Sequence, residues 1–382
     1  MFGFSKQKLV TDSEVIKQAL ERRLENNGIF PNKEEAVSLL KSKPLRVYLG
    51  IDPTGPDIHL GHTIPLLFLK QLLDLGHTPV IVIGDFTARI GDPTGKDAAR
   101  KPLTIEQVRE NFKNYIEQIH HILPKGSFEV KHNGDWLDKL SFKDVVQLAS
   151  NVTVQQMIQR DMFQERLKNE KPIGLHEFLY PLMQGYDSVA MEIDGEVGGN
   201  DQVFNMLMGR DLEKKLIQKD KLVFATKLLI NADSGKKMSK SEGELIALSD
   251  SPQEMRRKVL ASDDSMIQST FELCTEKPMV WIEENKTKTP REWKEELADE
   301  IVRMYHGEEG VAKSREPVTT SGAGTSVVNY VSSWLNISKS EAKKLLDQGA
   351  VEINSQPEKS WEYEMKTGDE VKVGKGKISK VS

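Results

Sequence analysis

Cysteine is nearly absent. Cys274 stands alone among 382 residues, which excludes an intramolecular disulfide framework and any cysteine-built zinc cluster; a buried, inert thiol is expected. No run of about 18 apolar residues occurs, so no membrane-spanning helix and no membrane partner are expected. The start of the chain, Met1 to Lys6, has no apolar signal region, and the expected location is cytoplasmic. A large charge excess is also missing. A net charge of -5 argues against a protein that coats nucleic acid by bulk electrostatics, and no DNA partner is expected, although one face can still be basic. Internal repeats and low-complexity tracts do not occur. What remains is 38% hydrophobic and 29% charged residues, an ordinary composition on a chain long enough for two or three domains.

The hydrophobic pattern sets out the organisation. Residues 45–51 are an apolar run, 64–75 have helical period, 76–79 break it, and 80–84 form a second apolar run. Strands without alternation, separated by a helix, are the mark of a parallel sheet covered on both faces. The spacing further predicts helices over 152–167 and 175–190, a short strand at 195–197, a helix from 202 and a strand within 221–230. The expected fold is α/β: a Rossmann-like doubly wound parallel sheet over residues 36–245, with a helical insertion at about 95–150. A helical extension, 1–35, precedes it. A helical domain, 246–314, a linker, 315–325, and a small α+β module, 326–382, follow.

Two motifs carry chemistry together. His59, Leu60, Gly61 and His62 follow a predicted strand and open a predicted helix. Ligands of doubly wound sheets sit at such strand ends, and helix N-termini favour phosphate. Gly61 lets a nucleotide ring approach the backbone, and the two histidines, three apart, can donate to phosphate oxygens. Taken alone, the segment reads first as two surface histidines beside a helix cap. Lys237, Met238, Ser239, Lys240 and Ser241 lie in a loop bounded by glycines. Taken alone it reads as a solvated charge run; paired with the first motif, Lys237 and Lys240 are candidates to neutralise a leaving pyrophosphate. A third segment after the second strand holds Asp92, Lys96 and Arg100 and lacks the Walker spacing.

These residues, with Tyr180, Gln184 and Asp187 and with Gly198, Gly199, Asp201 and Gln202, closely resemble the bacterial-type tyrosyl-tRNA synthetases, a class I family, from about residue 30 to the end. The resemblance implies that Tyr48 and Asp187 hydrogen-bond the phenolic hydroxyl of tyrosine, and that Asp92, Tyr180 and Gln184 hold its ammonium group. Asp201 would take the ribose hydroxyls, with Gln202 and Asp52 lining the same cavity. Thr54 and His59 would contact the γ-phosphate and His62 the nucleotide. Lys96, Arg100, Lys237 and Lys240 would contact the pyrophosphate, with Gly61 and Met238 also on the ATP side. Independently of the family, residues 180, 184 and 187 share one helical face. The module at 326–382 resembles a small ribosomal-protein-type RNA-binding domain, with Lys339, Lys343 and Lys344 as RNA contacts. It departs from that pattern in carrying lysines where arginines are common, so bidentate phosphate recognition is weaker.

The implied activity is a tyrosine–tRNA ligase that uses ATP as substrate, with Mg2+ on its phosphates and no dedicated metal site, and that charges tRNA as a homodimer. Two alternatives are a tryptophan–tRNA ligase, which leaves the Tyr48 and Asp187 pair unexplained, and a non-catalytic RNA-binding protein on a synthetase scaffold. The second would be marked by loss of His59, His62, Lys237 or Lys240, all of which are present.

Overall fold

The computed structural model describes residues 8–382 apart from 54, 56, 93–103, 232–244, 317, 321, 322, 336, 375 and 376. Two compact units emerge. One holds the chain up to Ile230 together with Glu272–Cys274; the other holds Asn231–Phe271 and Thr275–Ser382.

The first unit is built on a six-stranded sheet of β1 (Leu24–Phe30), β2 (Arg46–Ile51), β3 (Thr78–Ile83), β4 (Glu129–His132), β5 (Gly195–Gly199) and β6 (Leu222–Thr226). Its order is β1-β6-β5-β2-β3-β4. From β2 the chain winds outward to β3 and β4, then returns to the other side of β2 for β5 and β6, all in parallel. The doubly wound expectation therefore holds, and the switch point lies between β2 and β5. Those two strands pair at only two rungs, Val47 with Gly195 and Tyr48 with Glu196. Beyond them no ladder joins the carboxyl ends, where a crevice is expected in this topology. Buried Val80, Ile81, Val82 and Ile83 of β3 and Leu222, Val223, Phe224 and Ala225 of β6 explain the unalternating pattern, since helices cover both faces.

Three expectations need correction. The N-terminal extension is not only helical. After the helix Ser13–Glu21, capped by Asp12, the chain forms β1, antiparallel to β6 at the sheet edge. Asn26, Asn27 and Gly28 hide this strand, because an edge strand tolerates polar residues that a central one does not. The segment at 95–150 is not wholly an insertion either, since it returns β4 to the sheet beside β3. Finally, the expected linker includes a strand, β7 (Val318–Thr320), which pairs in parallel with β11 (Lys377–Val381).

The second unit contains helices opened by capping residues. Ser251 caps Pro252–Ala261, and Thr289 with Glu292 forms a capping box on Pro290–Ser314. The latter kinks at Gly307, whose φ of 69° lies in the left-handed region. The helices Val327–Leu335 and Lys339–Asp347 then pack over β8 (Val351–Ile353), β9 (Gln356–Pro357), β10 (Glu370–Val373) and β11, with a core that includes Val331, Leu346, Val351 and Val371. The five-stranded order is β7-β11-β10-β8-β9.

Candidate active site

Three side chains enter the site from one helix, Leu175–Met191. Gly174 opens it, with Glu177 accepting from the Gly174 N–H at 2.8 Å. Arg166 clamps Glu177 through two bonds, Nη1 to Oε2 at 2.5 Å and Nη2 to Oε1 at 2.9 Å, in a buried pair. Tyr180, Gln184 and Asp187 lie on the face turned to the sheet. Each is engaged by a different strand or loop.

Tyr180 donates its hydroxyl to Asp52 Oδ2 at 2.8 Å, just past the end of β2. The other Asp52 oxygen accepts from Thr87 Oγ1 at 2.7 Å. Gly84, after β3, makes this possible: a Cβ there would collide with Asp52 Oδ1 and Thr87 Oγ1. Asn133 Nδ2 donates to Thr87 at 3.0 Å and to Asp187 Oδ2 at 3.4 Å. Trp136 Nε1 donates to Asp187 Oδ1 at 2.7 Å. Asp187 is 4% exposed. Burial pushes its pKa well above the usual carboxylate range, against the opposing pull of the Trp136 and Asn133 donors.

A second polar chain starts at Asp92, which accepts from Gln202 Nε2 at 3.0 Å. Asn205 Nδ2 bridges Gln202 Oε1 at 2.9 Å and Gln184 Oε1 at 3.0 Å. Gln184 Nε2 donates to Glu196 Oε1 at 3.1 Å. Glu196 pairs with the buried Lys221, which also donates to Ser188 Oγ. Ser188 in turn shares a hydrogen bond of 3.2 Å with the Tyr48 hydroxyl. Tyr48 is fully buried on β2. Burial first, then the Glu196 and Asp187 charges, push its hydroxyl well above the usual range, so it stays protonated.

The structure thus brings Tyr48, Asp52, Asp92, Tyr180, Gln184, Asp187 and Gln202 into two hydrogen-bonded chains around the switch point. Asp201 sits on the short turn Asn200–Gln202 after β5 and is exposed. Several residues of the network were not singled out from sequence: Thr87, Asn133, Trp136, Ser188, Glu196, Asn205 and Lys221. Arg160 is another. It lies over the Phe204 ring at 4.8 Å and within the electrostatic reach of Asp92 and Tyr180.

The histidine motif sits at the N-terminus of Leu60–Asp74. His59 is the cap: its Nδ1 accepts from Gly61 N–H at 3.1 Å. His59 and His62 stack, with ring centroids 3.8 Å apart. An accepting Nδ1 places the proton of a neutral His59 on Nε2, which makes that atom the donor. The preceding loop is fastened from the helix Ile105–Ile119, where Asn111 Nδ2 donates to Pro53 O and Gln118 Oε1 accepts from Ile58 N–H, both at 2.8 Å. Thr54, Lys96, Arg100, Lys237, Met238 and Lys240 lie outside the described residues. Cys274 is buried, its thiol pushed up to about 12 by burial.

In the C-terminal module Lys339 and Lys344 are exposed, whereas Lys343 lies over the Trp361 ring at 4.3 Å. Trp361 is fixed by its Nε1 donating to Asp347 at 2.8 Å. Among the described residues no helix is long and apolar enough to cross a membrane.

Comparison with known proteins bears on this geometry. A family model described as tRNA synthetases class I (W and Y) matches residues 40–320. A tyrosine–tRNA ligase from Carboxydothermus hydrogenoformans is 42% identical, over 96% of this chain and 97% of that protein. One from Thermotoga maritima is also 42% identical, over 92% and 94%. A solved tyrosyl-tRNA synthetase from Archaeoglobus fulgidus, complexed with L-tyrosine, has the same fold, with a TM-score of 0.62 at 21% identity over 79% of this chain and 99% of that one.

Proposed function

The chain belongs to the class I tRNA synthetases of the tryptophan and tyrosine group, and from that premise we propose that it is a tyrosine–tRNA ligase. The tyrosine carboxylate attacks the α-phosphorus of ATP, giving tyrosyl-adenylate and pyrophosphate, and the tyrosyl group then passes to the terminal ribose of tRNA. A carboxylate is already a competent nucleophile, so the protein's work is positioning and charge stabilisation.

The observation that carries this reading is the convergence of Tyr180, Gln184 and Asp187 from one helix onto the switch point, with a buried carboxyl at the innermost of the three. A phenolic hydroxyl can bridge Asp187 and the Tyr48 hydroxyl. An amino acid without that hydroxyl would forgo both bonds and place an apolar edge against two polar groups in a dry site. Asp92, Tyr180 and Gln184 would take the ammonium group, with Gln202 beside them. Asp201 and Asp52 would face the ribose. Gly61, His59 and His62 would receive the nucleotide at the helix N-terminus, His59 through its Nε2–H. Thr54, Lys96, Arg100, Lys237, Met238 and Lys240 retain the ATP-side roles that the family assigns. Both Asp52 oxygens already accept from hydroxyls, which favours magnesium held by the triphosphate oxygens over a side-chain site.

The C-terminal lysines would contact tRNA phosphates in the cytoplasm. A homodimer is supported by large apolar side chains left exposed on the first unit, Phe142 at 85%, Leu175 at 78% and Val154 at 63%, and by an apolar groove lined by Phe86, Ile90 and Leu140. Such apolar surface is costly to leave in water. Sedimentation equilibrium should return twice the monomer mass.

Amino-acid-dependent exchange of labelled pyrophosphate into ATP, run with each of the twenty amino acids, tests the activity. Tyrosine alone should support it. Exchange driven by tryptophan, or by none, would overturn the reading.

A further inference from the structure

Glu196 and Lys221 are the most deeply buried ion pair among the described residues, at 2% and 0% side-chain exposure. A buried pair is a weak source of stability, because desolvation offsets its attraction. Its use must be sought in what it holds.

A lysine ammonium has three donors and no acceptor. Lys221 directs two of them to Glu196 Oε2 and Ser188 Oγ, and its charge lies 5.4 Å from the centre of the Tyr48 ring. The helices Leu175–Met191 and Val203–Ile217 are thinned by glycines where it passes. A Cβ on Gly209 would come within 2.6 Å of Lys221 Nζ and 2.8 Å of Ser188 Oγ. The fold thus keeps a channel open for this ammonium.

Glu196 faces the other end of the pocket. Its Oε1 accepts from Gln184 Nε2 at 3.1 Å while Asn205 Nδ2 donates to Gln184 Oε1 at 3.0 Å. The two bonds fix which way the Gln184 amide points. Its carbonyl oxygen keeps a second lone pair that can accept from an ammonium group, whereas a flipped amide would offer N–H groups to a cation.

We propose that the Glu196–Lys221 pair is a positioning element for the amino-acid pocket, fixing the Gln184 amide at the ammonium end and the Ser188–Tyr48 hydrogen bond at the phenol end. The pair acts through Gln184 and Ser188 and couples the two ends through one charge contact. This inference rests on the proposed tyrosine specificity.

The test is pyrophosphate exchange on the full-length protein, with tyrosine and phenylalanine KM, ATP KM and Tm measured for each variant. Lys221→Met strands the Glu196 charge and is expected to lower Tm. The double variant Lys221→Met with Glu196→Gln removes both charges and should regain most of the Tm. Its tyrosine KM should remain raised roughly ten-fold or more, the scale of a lost charge-assisted hydrogen bond, with ATP KM within about two-fold. Ser188→Ala keeps the ion pair and removes the hydroxyl that joins Lys221 to Tyr48. It should narrow the preference for tyrosine over phenylalanine, with a smaller loss of Tm than Lys221→Met. A double variant with restored Tm and wild-type tyrosine KM, or a Ser188→Ala protein with wild-type discrimination, would overturn the proposal. Absence of tyrosine-dependent exchange in the wild type would instead bring down the proposed function, and this inference with it.

Discussion

Tyr180 and Asp52, 128 residues apart in sequence, meet through a 2.8 Å hydrogen bond from phenol to carboxylate. The bond ties the helix Leu175–Met191 to the loop after β2. Tyr180→Phe should therefore disturb both substrates. Tyrosine and ATP KM are both expected to rise, by an amount equivalent to about 1–2 kcal/mol each. Steady-state exchange kinetics at varied tyrosine and varied ATP give the answer; a change in one KM alone would show that the contact does not couple the two sides.

Gly84→Ala tests the cradle under Asp52. The new Cβ has no room beside Asp52 Oδ1 and Thr87 Oγ1, so the carboxylate must move or β3 must shift. A loss of about 1–3 kcal/mol is expected from overpacking, with a larger effect on adenylation than on tRNA binding. Chemical denaturation and exchange rates on the same sample check it.

Trp136→Phe removes the 2.7 Å donor to Asp187 and keeps most of the ring volume. Deprived of that donor, the buried carboxyl should hold its proton more tightly and grip the substrate hydroxyl less well. Tyrosine KM should rise roughly ten-fold while ATP KM stays put. An unchanged tyrosine KM would place the pocket elsewhere.

Stability should respond to pH through two buried groups with opposite signs. Burial raises Glu213 from 4.5 to about 7, against the lowering effect of Lys221 and Lys219. Between these values the unfolded chain releases the proton and the folded one keeps it, so stability falls as pH rises. Burial lowers His77 from 6.5 to about 4, and its Nδ1 accepts from Leu45 N–H at 3.2 Å. Here stability is lost as pH falls through that window. The two slopes oppose each other between about pH 4.5 and 6.5. Glu213→Gln should raise Tm by a few degrees at pH 8, have little effect at pH 4.5, and leave the His77 slope exposed. A Tm gain that did not depend on pH would argue for packing instead.

Lys339→Glu with Lys344→Glu should weaken tRNA charging at physiological salt and leave pyrophosphate exchange intact. If both lysines meet phosphates, the slope of log affinity against log salt should shrink by about 2. An unchanged slope would remove them from the RNA surface.

The central strands were legible because β2, β3 and β6 are nearly unbroken apolar runs. The edge strands were not: β1 contains Asn26, Asn27 and Gly28, and β4 is Glu129, Val130, Lys131 and His132. Their pairing comes from neighbours distant in sequence. The site divides the same way. Tyr180, Gln184 and Asp187 show themselves by helical spacing, but the donors to Asp187 come from 51 and 54 residues away. Lys221 follows Lys219 and Asp220 and looks like any solvated charge. Only the fold reveals that its ammonium is buried.

Gly185 and Gly209 set a limit on redesign. A Cβ on Gly185 would meet Leu212 Cδ1 at 2.8 Å and lie 3.3 Å from Gly209 Cα, so the helix bearing Tyr180, Gln184 and Asp187 is seated against its neighbour with no slack. It cannot retreat to admit a bulkier amino acid. In the proposed pocket, space for an enlarged side chain would have to be carved by trimming residues such as Tyr48 or Asp187, and libraries that leave both glycines and Lys221 untouched would retain the frame on which any new selectivity has to be built.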